Sequence, residues 1–419
     1  MFSFCKPVSS KKRFLPKREL DEKFSFTLFE RAASIPKEEW KSVIKEDKIF
    51  LDPAFLDVLE SGEHTKLMCR YVIVYFHGKA CGVIYFQVVD FRAGTFGEIL
   101  EGQTENNNSK RLKIFENYLG ANKEEVLLRL FTCGNNLVSG EYGFVFDEII
   151  TDEVAHTLLL NIIDVVSKED KLKGGLSAIL IKDFHEPLKP EKLFEEEKYS
   201  RFSVEPNLIV DIPLGVNTIN SYIELFSKKY RNRAKAIFKS FQGIETKYFT
   251  SDEINKNEKK IYALYEEIFE KAKFKLIKLP RNYFSLVKTI FGERFKVIGF
   301  LKDNELIAFG SIFLMPDNSV EAHYIGFKYD LNQQHNLYQN LLYTIISEAI
   351  LELRSKVNLG RTAAEIKTTV GAKATDLACY LKPQNTISKI IQKPFIALLQ
   401  PAEWVPRNPF KEETLTVKE

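Results

Sequence analysis

Several residue types are scarce in this sequence, and each scarcity excludes something. Cysteine occurs only at Cys5, Cys69, Cys81, Cys133 and Cys379, an odd number with no CxxC and no adjoining histidine cluster. That pattern excludes a disulfide framework and a structural zinc site, and no metal ligand set is expected. The compartment it implies is reducing. No apolar run reaches the ~18 to 20 residues that a membrane span needs, and the N-terminus lacks the long apolar core of a secretory leader. A cytoplasmic protein is therefore expected, with a peripheral hold on the inner face of the membrane as an option, because residues 1–18 carry six Lys or Arg and no acid. An excess of charge is missing too. Sixty basic residues against 57 acidic leave +3, which confines any polyanion contact to a local patch.

What is plentiful is phenylalanine, 34 residues, with 17 tyrosines against 3 methionines. At 45% hydrophobic and 28% charged residues the chain has the balance of a soluble globular protein. Its 419 residues are enough for two or three domains of roughly 100 to 200 residues each.

The order of elements read from the pattern recurs. Two short helices near residues 38–44 and 53–59 precede a hairpin at 67–91 turned by His77-Gly78-Lys79. A helix ending near Leu119, the strand EVLLRLFTCG, a helix over about 153–166 and the strand SAILIKDF follow. The second half begins with a helix read as continuous from Ile219 to Phe241 and a second one around residues 252–272. Next come a short helix after Pro280, the hairpin RFKVIGFLKDNELIAFGSIFLMP, the strand SVEAHYIGFK, a helix over 337–353, the short strand NLGRT and a helix over about 371–380. A charged stretch at 195–205 reads as the linker. The divisions are a basic tail (1–25), two domains (26–200 and 201–400) and a C-terminal tail (401–419).

Two helices, three antiparallel strands, a crossover helix, a further strand and a last helix, found twice, resemble the FemAB-like branch of the GNAT acyltransferases. The stretches FLDPAFLDVLE, LFTCGNNLVSGEYGF, LFSKKYRNRAKAIFKS and LGRTAAEIKTTVGA carry the likeness. The fold it implies is α/β (α+β), two tandem GNAT-like domains, each a mixed, mostly antiparallel sheet flanked by helices. The activity it implies is transfer of an acyl or aminoacyl group from an activated thioester or ester to an amine, in peptidoglycan or aminolipid biosynthesis. No tightly bound cofactor follows from it. The co-substrate would be acyl-CoA, acyl-carrier protein or aminoacyl-tRNA, and the Phe-rich composition would suit a long acyl chain. Two alternatives stay open: aminoacyl-tRNA-dependent extension of a peptidoglycan precursor, and a non-catalytic tandem module that binds a peptide or glycan precursor. Ile366 stands where the family usually has an aromatic before its lysine, and no segment has the pattern of an inserted coiled-coil arm.

Such a transfer needs a neutral amine, a positioned carbonyl and donors for the oxyanion. The resemblance puts Lys367 at the substrate channel, in a turn that Gly360 and Gly371 suggest is tight, with Arg361 beside it to bind donor or acceptor phosphate. Alternation on SVEAHYIGFK sets Glu321, His323 and Ile325 on one face, so Glu321 would orient His323 as a base. Tyr343 and Tyr380 are candidates to return a proton to the leaving group. Amides at Asn336, Leu337 and Tyr338, at a helix N-terminus, are candidates for a donor's pyrophosphate. The cations Lys228, Lys229, Arg231 and Arg233, with Lys235 and Lys239, make one basic helix suited to transfer RNA or an anionic membrane surface.

Overall fold

The computed structural model describes residues 18–20, 22–45, 48–61, 67–92, 127–169, 172, 175–272, 277–401 and 403–411. The helix expected to end near Leu119 lies outside them. Strands Arg18–Glu19 (β1) and Phe24–Phe29 (β2) lead to helices Lys37–Ile44 (α1) and Pro53–Glu60 (α2). Asp52 starts α2 by accepting the Ala54 amide at 2.8 Å, and Pro53 occupies the first helical position, where no amide is needed. The hairpin Leu67–Phe76 (β3) and Lys79–Arg92 (β4) turns at His77 and Gly78, both at positive φ. Strands Leu127–Cys133 (β5) and Phe144–Phe146 (β6), helix Asp152–Ser167 (α3), strand Ala178–Phe184 (β7), helix Glu191–Glu196 (α4) and strand Ser200–Asp211 (β8) follow.

The second half runs Ile219–Glu224 (α5), Lys228–Ser240 (α6), Glu245–Tyr248 (β9), Ser251–Lys271 (α7), Tyr283–Phe291 (α8), Phe295–Lys302 (β10), Glu305–Leu314 (β11) and Ser319–Phe327 (β12). Then come Tyr329–His335 (α9), Leu337–Leu351 (α10), Lys356–Asn358 (β13), Ala364–Thr369 (α11), Lys373–Pro383 (β14) and Thr386–Leu399 (α12). All the described strands join one sheet in the order β1-β2-β3-β4-β5-β7-β14-β8-β13-β12-β11-β10-β9, with β6 beside β4.

That order has an internal two-fold. In the first half β5 and β7 are parallel, in the second β12 and β13 are parallel, and the remaining named pairs are antiparallel. Strand β14, late in the chain, pairs with β7 of the first half, while β8 pairs with β13 of the second. Each repeat thus receives a strand adjacent to the other repeat's last one, and β8 and β14 meet at the centre. The result is one mixed, mostly antiparallel sheet built of two like halves. One hydrophobic cluster crosses the halves: Phe50, near α2, lies 5.3 Å from Phe313 of β11, and Phe55 lies 6.4 Å from Tyr283 of α8. Because sheet and core cross it, we propose residue 200 as a boundary between repeats rather than between independently folding domains. Gly326 lets α7 lie directly on β12, since a Cβ there would meet the Leu264 backbone at 2.5 Å.

Four local readings need correction. Residues 195–205 are not a linker but the end of α4 and the first half of β8. The helix expected from 219 to 241 is two, broken at 225–227, where Phe226 turns into a bridge with Phe410. The segment expected as a helix over 371–380 is strand β14, buried between β7 and β8, so its sheet partners override the helix propensity of its Ala and Leu residues. Of the expected strand NLGRT (358–362) only Asn358, the last residue of β13, is strand; 359–363 is loop. Among the described residues no helix is long and apolar enough to cross a membrane.

Candidate active site

Parallel strands that share a few bonds and then part leave a cleft at their carboxyl ends, where open α/β sheets bind ligands. Strand β12 pairs with β13 only over Ser319–Glu321 and Lys356–Asn358, then continues to Phe327 without it. Glu321 and Asn358 are the last partners before the strands separate. Glu321 is buried and hydrogen-bonded to Asn358. Asn358 Oδ1 accepts the Gly360 amide at 2.9 Å, and Gly360 O in turn accepts from Lys367 Nζ at 3.2 Å, which also donates to Arg361 O. Carboxyl, amide, backbone and amine thus form one connected path.

Lys367 is not in a turn, as expected, but on α11, and it is only 4% exposed. Burial lowers its pKa to about 7, although Glu205 and Glu321 pull the other way. Burial raises Glu321 to about 8, against its hydrogen bond from Asn358 and the charge of Lys367. An acid and a base whose pKa values both fall near neutrality can exchange protons with a substrate at physiological pH. The neutral amine suits its site, since its two N–H bonds match the two carbonyls and a lone pair is left over. Of the two glycines, Gly371 meets the expected tight approach, because a Cβ there would run into the Tyr222 hydroxyl. Gly360 has open space and needs only its φ of 72°.

Behind this path lies an ion cluster that the sequence reading missed. Asp183 of β7 is fully buried; it accepts from Arg361 Nη1 at 3.0 Å, from Lys182 Nζ and from the Gly140 amide at 3.4 Å. Burial alone would raise its pKa, but the Arg361 and Lys182 charges outweigh that and hold it below the usual carboxylate value. Lys182 also donates to Asn135 O at 2.9 Å and Val138 O at 3.0 Å, and Arg361 Nε donates to Ser139 Oγ at 2.8 Å. The loop after β5, part of the GNNLVSGEYG stretch, is therefore pinned in the cleft of the first repeat, and Tyr324 of β12 donates to Leu137 O at 2.6 Å from the second. Charges inside the apolar strand AILIKDF were the available signal, since a strand buried on both faces is otherwise continuously hydrophobic.

Other expected participants are elsewhere or differently engaged. Glu321 and His323 do share a face, but a bulge places His323 and Tyr324 together opposite Ser311, whose hydroxyl bonds both backbone groups of Tyr324 at 3.0 Å, and this turns Ile325 to the opposite face. The imidazole pairs with Tyr283 Oη at 2.5 Å and stacks on Phe50 at 5.5 Å, with no carboxylate partner among the described residues. Burial lowers its pKa to about 3, so it is held neutral, contrary to the expected raised basicity. His323→Phe is expected to keep the aromatic packing and cost about 1–3 kcal/mol at pH 7 for the orphaned Tyr283 hydroxyl. With the folded value near 3 and the unfolded value about 6.5, the stability owed to neutral His323 is complete above pH 6.5 and is lost as pH falls toward 3. Urea denaturation at pH 7 and 5 should show a smaller acid loss in His323→Phe than in the wild type; parallel losses would overturn this.

Tyr343 packs in the core against Phe238 at 5.1 Å, and Tyr380 lies on β14 in the core of the first repeat, its hydroxyl accepting the Leu188 amide at 2.9 Å. Neither faces the Lys367 path. At the start of α10, Leu337 is fully buried, Asn336 is bonded to Ser240 Oγ at 2.9 Å, and the Tyr338 amide is capped by Asn332 Oδ1 at 2.9 Å. Of the three amides expected to hold a donor's pyrophosphate, that of Tyr338 is thus already satisfied by the protein. On α6, Arg231 is paired with Glu224 at 3.0 Å, Lys228 is exposed, and Lys229 and Arg233 line a cavity with α11.

The fold class is thus α/β (α+β), one mixed, mostly antiparallel sheet of two like halves flanked by helices. No family model matches the sequence, and no curated protein matches it. Among solved structures the chain is similar to a tandem GNAT protein from the clavulanic acid biosynthesis pathway at 8% identity and a TM-score of 0.46, covering 86% of this chain and 98% of that one. It is also similar to FemX, at 10% identity and a TM-score of 0.45 over 78% and 90% of the two chains. L-PGS from Bacillus licheniformis is similar at 13% identity and a TM-score of 0.42 over 73% and 96%.

Proposed function

We propose that the protein is a FemAB-like acyltransferase that moves an acyl or aminoacyl group from an activated ester or thioester to an amine of a cell-envelope precursor. The observation that supports it is the buried Lys367–Glu321 pair, with pKa values near 7 and 8, where β12 and β13 part. In the step proposed, the acceptor nitrogen attacks the donor carbonyl carbon and the bond to the leaving oxygen or sulfur breaks. Lys367 Nζ takes the proton released by the nitrogen, and the Glu321 carboxyl supplies one to the leaving group, so that an amide and a protonated alcohol or thiol result. Arg361, held by Asp183 and Ser139, positions the carbonyl that Lys367 binds.

Turnover should rise through about pH 7 as Lys367 loses its proton and fall through about pH 8 as Glu321 loses its own. Glu321→Gln should remove the alkaline fall. The substrates can be sought by mass spectrometry of envelope lipids and peptidoglycan fragments from a strain lacking the protein, restored with the wild type or with Lys367→Gln. The expected result is an acylated amine that returns only with the wild type. Identical profiles in all strains would sink the proposal.

A further inference from the structure

Two cavities of about 310 Å³ flank α11 and share Glu365 and Ile366. One is largely apolar, with Pro206, Leu208, Ala363 and Trp404 in its wall. The other is lined by Lys229, Tyr230, Arg233, Glu365, Ile366, Thr369 and Arg407, three cations against one carboxylate. Its cations come from distant parts of the chain, two from α6 and one from the segment after α12, so the fold has gathered them.

The arrangement is unfavourable for the protein alone. Lys228 and Lys229 sit in the first turn of α6, which contains no acid, and so face the positive end of the helix dipole. Lys229 and Arg233 are four residues apart on one helix face, a spacing at which like charges repel. Neither is in an ion pair with a described residue; Lys229 has only the ring of Tyr230 at 5.5 Å. Arg407 has Glu365 at 3.6 Å, an exposed and therefore weak pair, while its own amide is fixed by Thr368 Oγ1 at 3.1 Å. A local conflict of this kind, held by otherwise consistent packing, marks a place where a ligand supplies the missing charge.

We propose that this cavity binds a phosphate or diphosphate group. Two guanidinium forks and an ammonium match phosphate oxygens. The cavity is at the small end of ligand sites, with room for a diphosphate and the start of the group esterified to it, and not for a stretch of nucleic acid. The site is separate from the start of α10, and it does not depend on the acyl-transfer reading, because its test reads binding without turnover.

The test is isothermal titration of the full-length protein with inorganic pyrophosphate and with orthophosphate at low salt. Saturable binding is expected, weakened about tenfold or more by Arg233→Ala and by Arg407→Ala and largely kept in Arg233→Lys. Lys256→Ala, an exposed lysine of α7 outside the cavity, should bind as the wild type does, and melting temperatures check that each variant folds. A second arm uses vesicles of phosphatidylglycerol and of phosphatidylcholine. A lipid phosphate as the source is indicated if anionic vesicles bind, lose binding in the same variants and are displaced by pyrophosphate; a soluble phosphate ester is indicated if pyrophosphate binds and neither vesicle does. The proposal is overturned by absence of saturable binding, or by equal losses in Lys256→Ala and Arg233→Ala. It is overturned also by binding to RNA that pyrophosphate does not displace.

Discussion

Lys367→Gln is expected to reduce turnover by about a hundred- to ten-thousandfold, the range over which a positioned proton carrier commonly acts, with little change in melting temperature. Glutamine is chosen for a physical reason. Its amide offers two N–H bonds to Gly360 O and Arg361 O, the carbonyls that Lys367 binds now, but it neither takes nor releases a proton near neutrality. Lys367→Ala tests less cleanly. Because the side chain is buried, alanine leaves both carbonyls without their donor and should cost about 1–3 kcal/mol as well as activity. Rates come from steady-state assays with the substrates found by mass spectrometry, and stability from urea denaturation of the same preparations. A Lys367→Gln enzyme with near-normal turnover would remove the residue from the mechanism whatever the alanine variant does.

Much of the fold was legible because its signals are local. The hairpins at 67–92 and 295–314 were marked by turn residues, and Asp303 and Asn304 do adopt positive φ at the second. The crossover helices were marked by apolar stripes. What was not legible depends on partners distant in sequence. Residues 371–380 look helical until β7 and β8 are placed on either side of them. The break between α5 and α6 interrupts an almost continuous apolar stripe, and its cause is Phe410, nearly two hundred residues further on. At the site, Lys367 and Glu321 were found by resemblance and by alternation respectively, while the partner assigned to Glu321 was wrong. Alternation says which side chains share a face, but only the bulge opposite Ser311 and the ring of Phe50 decide that His323 meets Tyr283. The Lys182–Asp183–Arg361 cluster joins residues 178 positions apart, and spacing alone carries no trace of it.

Asp183→Asn should be the most destabilising single change near the site, by about 3–5 kcal/mol at pH 7, the usual result of removing one member of a buried ion pair. Asparagine has the same shape and tolerates the left-handed φ of 64° found at this position, so backbone strain is not added. What changes is charge. Lys182, 5% exposed and already lowered in pKa by burial despite Asp183, loses the carboxylate that compensates it. The pH dependence follows from that. In the wild type the depressed Asp183 contributes stability that is complete above the unfolded value of about 3.9 and is lost as pH falls through the folded one. In the variant the folded state favours neutral Lys182, whose unfolded value is about 10.4. The deficit should therefore shrink as pH rises from 7 to 9, and the double variant Asp183→Asn, Lys182→Met should recover part of it, which a double-mutant cycle measures directly. Arg361 loses its anchor in the same step, so Asp183→Asn should also loosen the carbonyl that orients Lys367 and lower turnover even under conditions where it is fully folded. Equal stability of wild type and Asp183→Asn at pH 7 would mean that the buried charges are not paired as described, and with that the account of how both repeats meet at one site would fail.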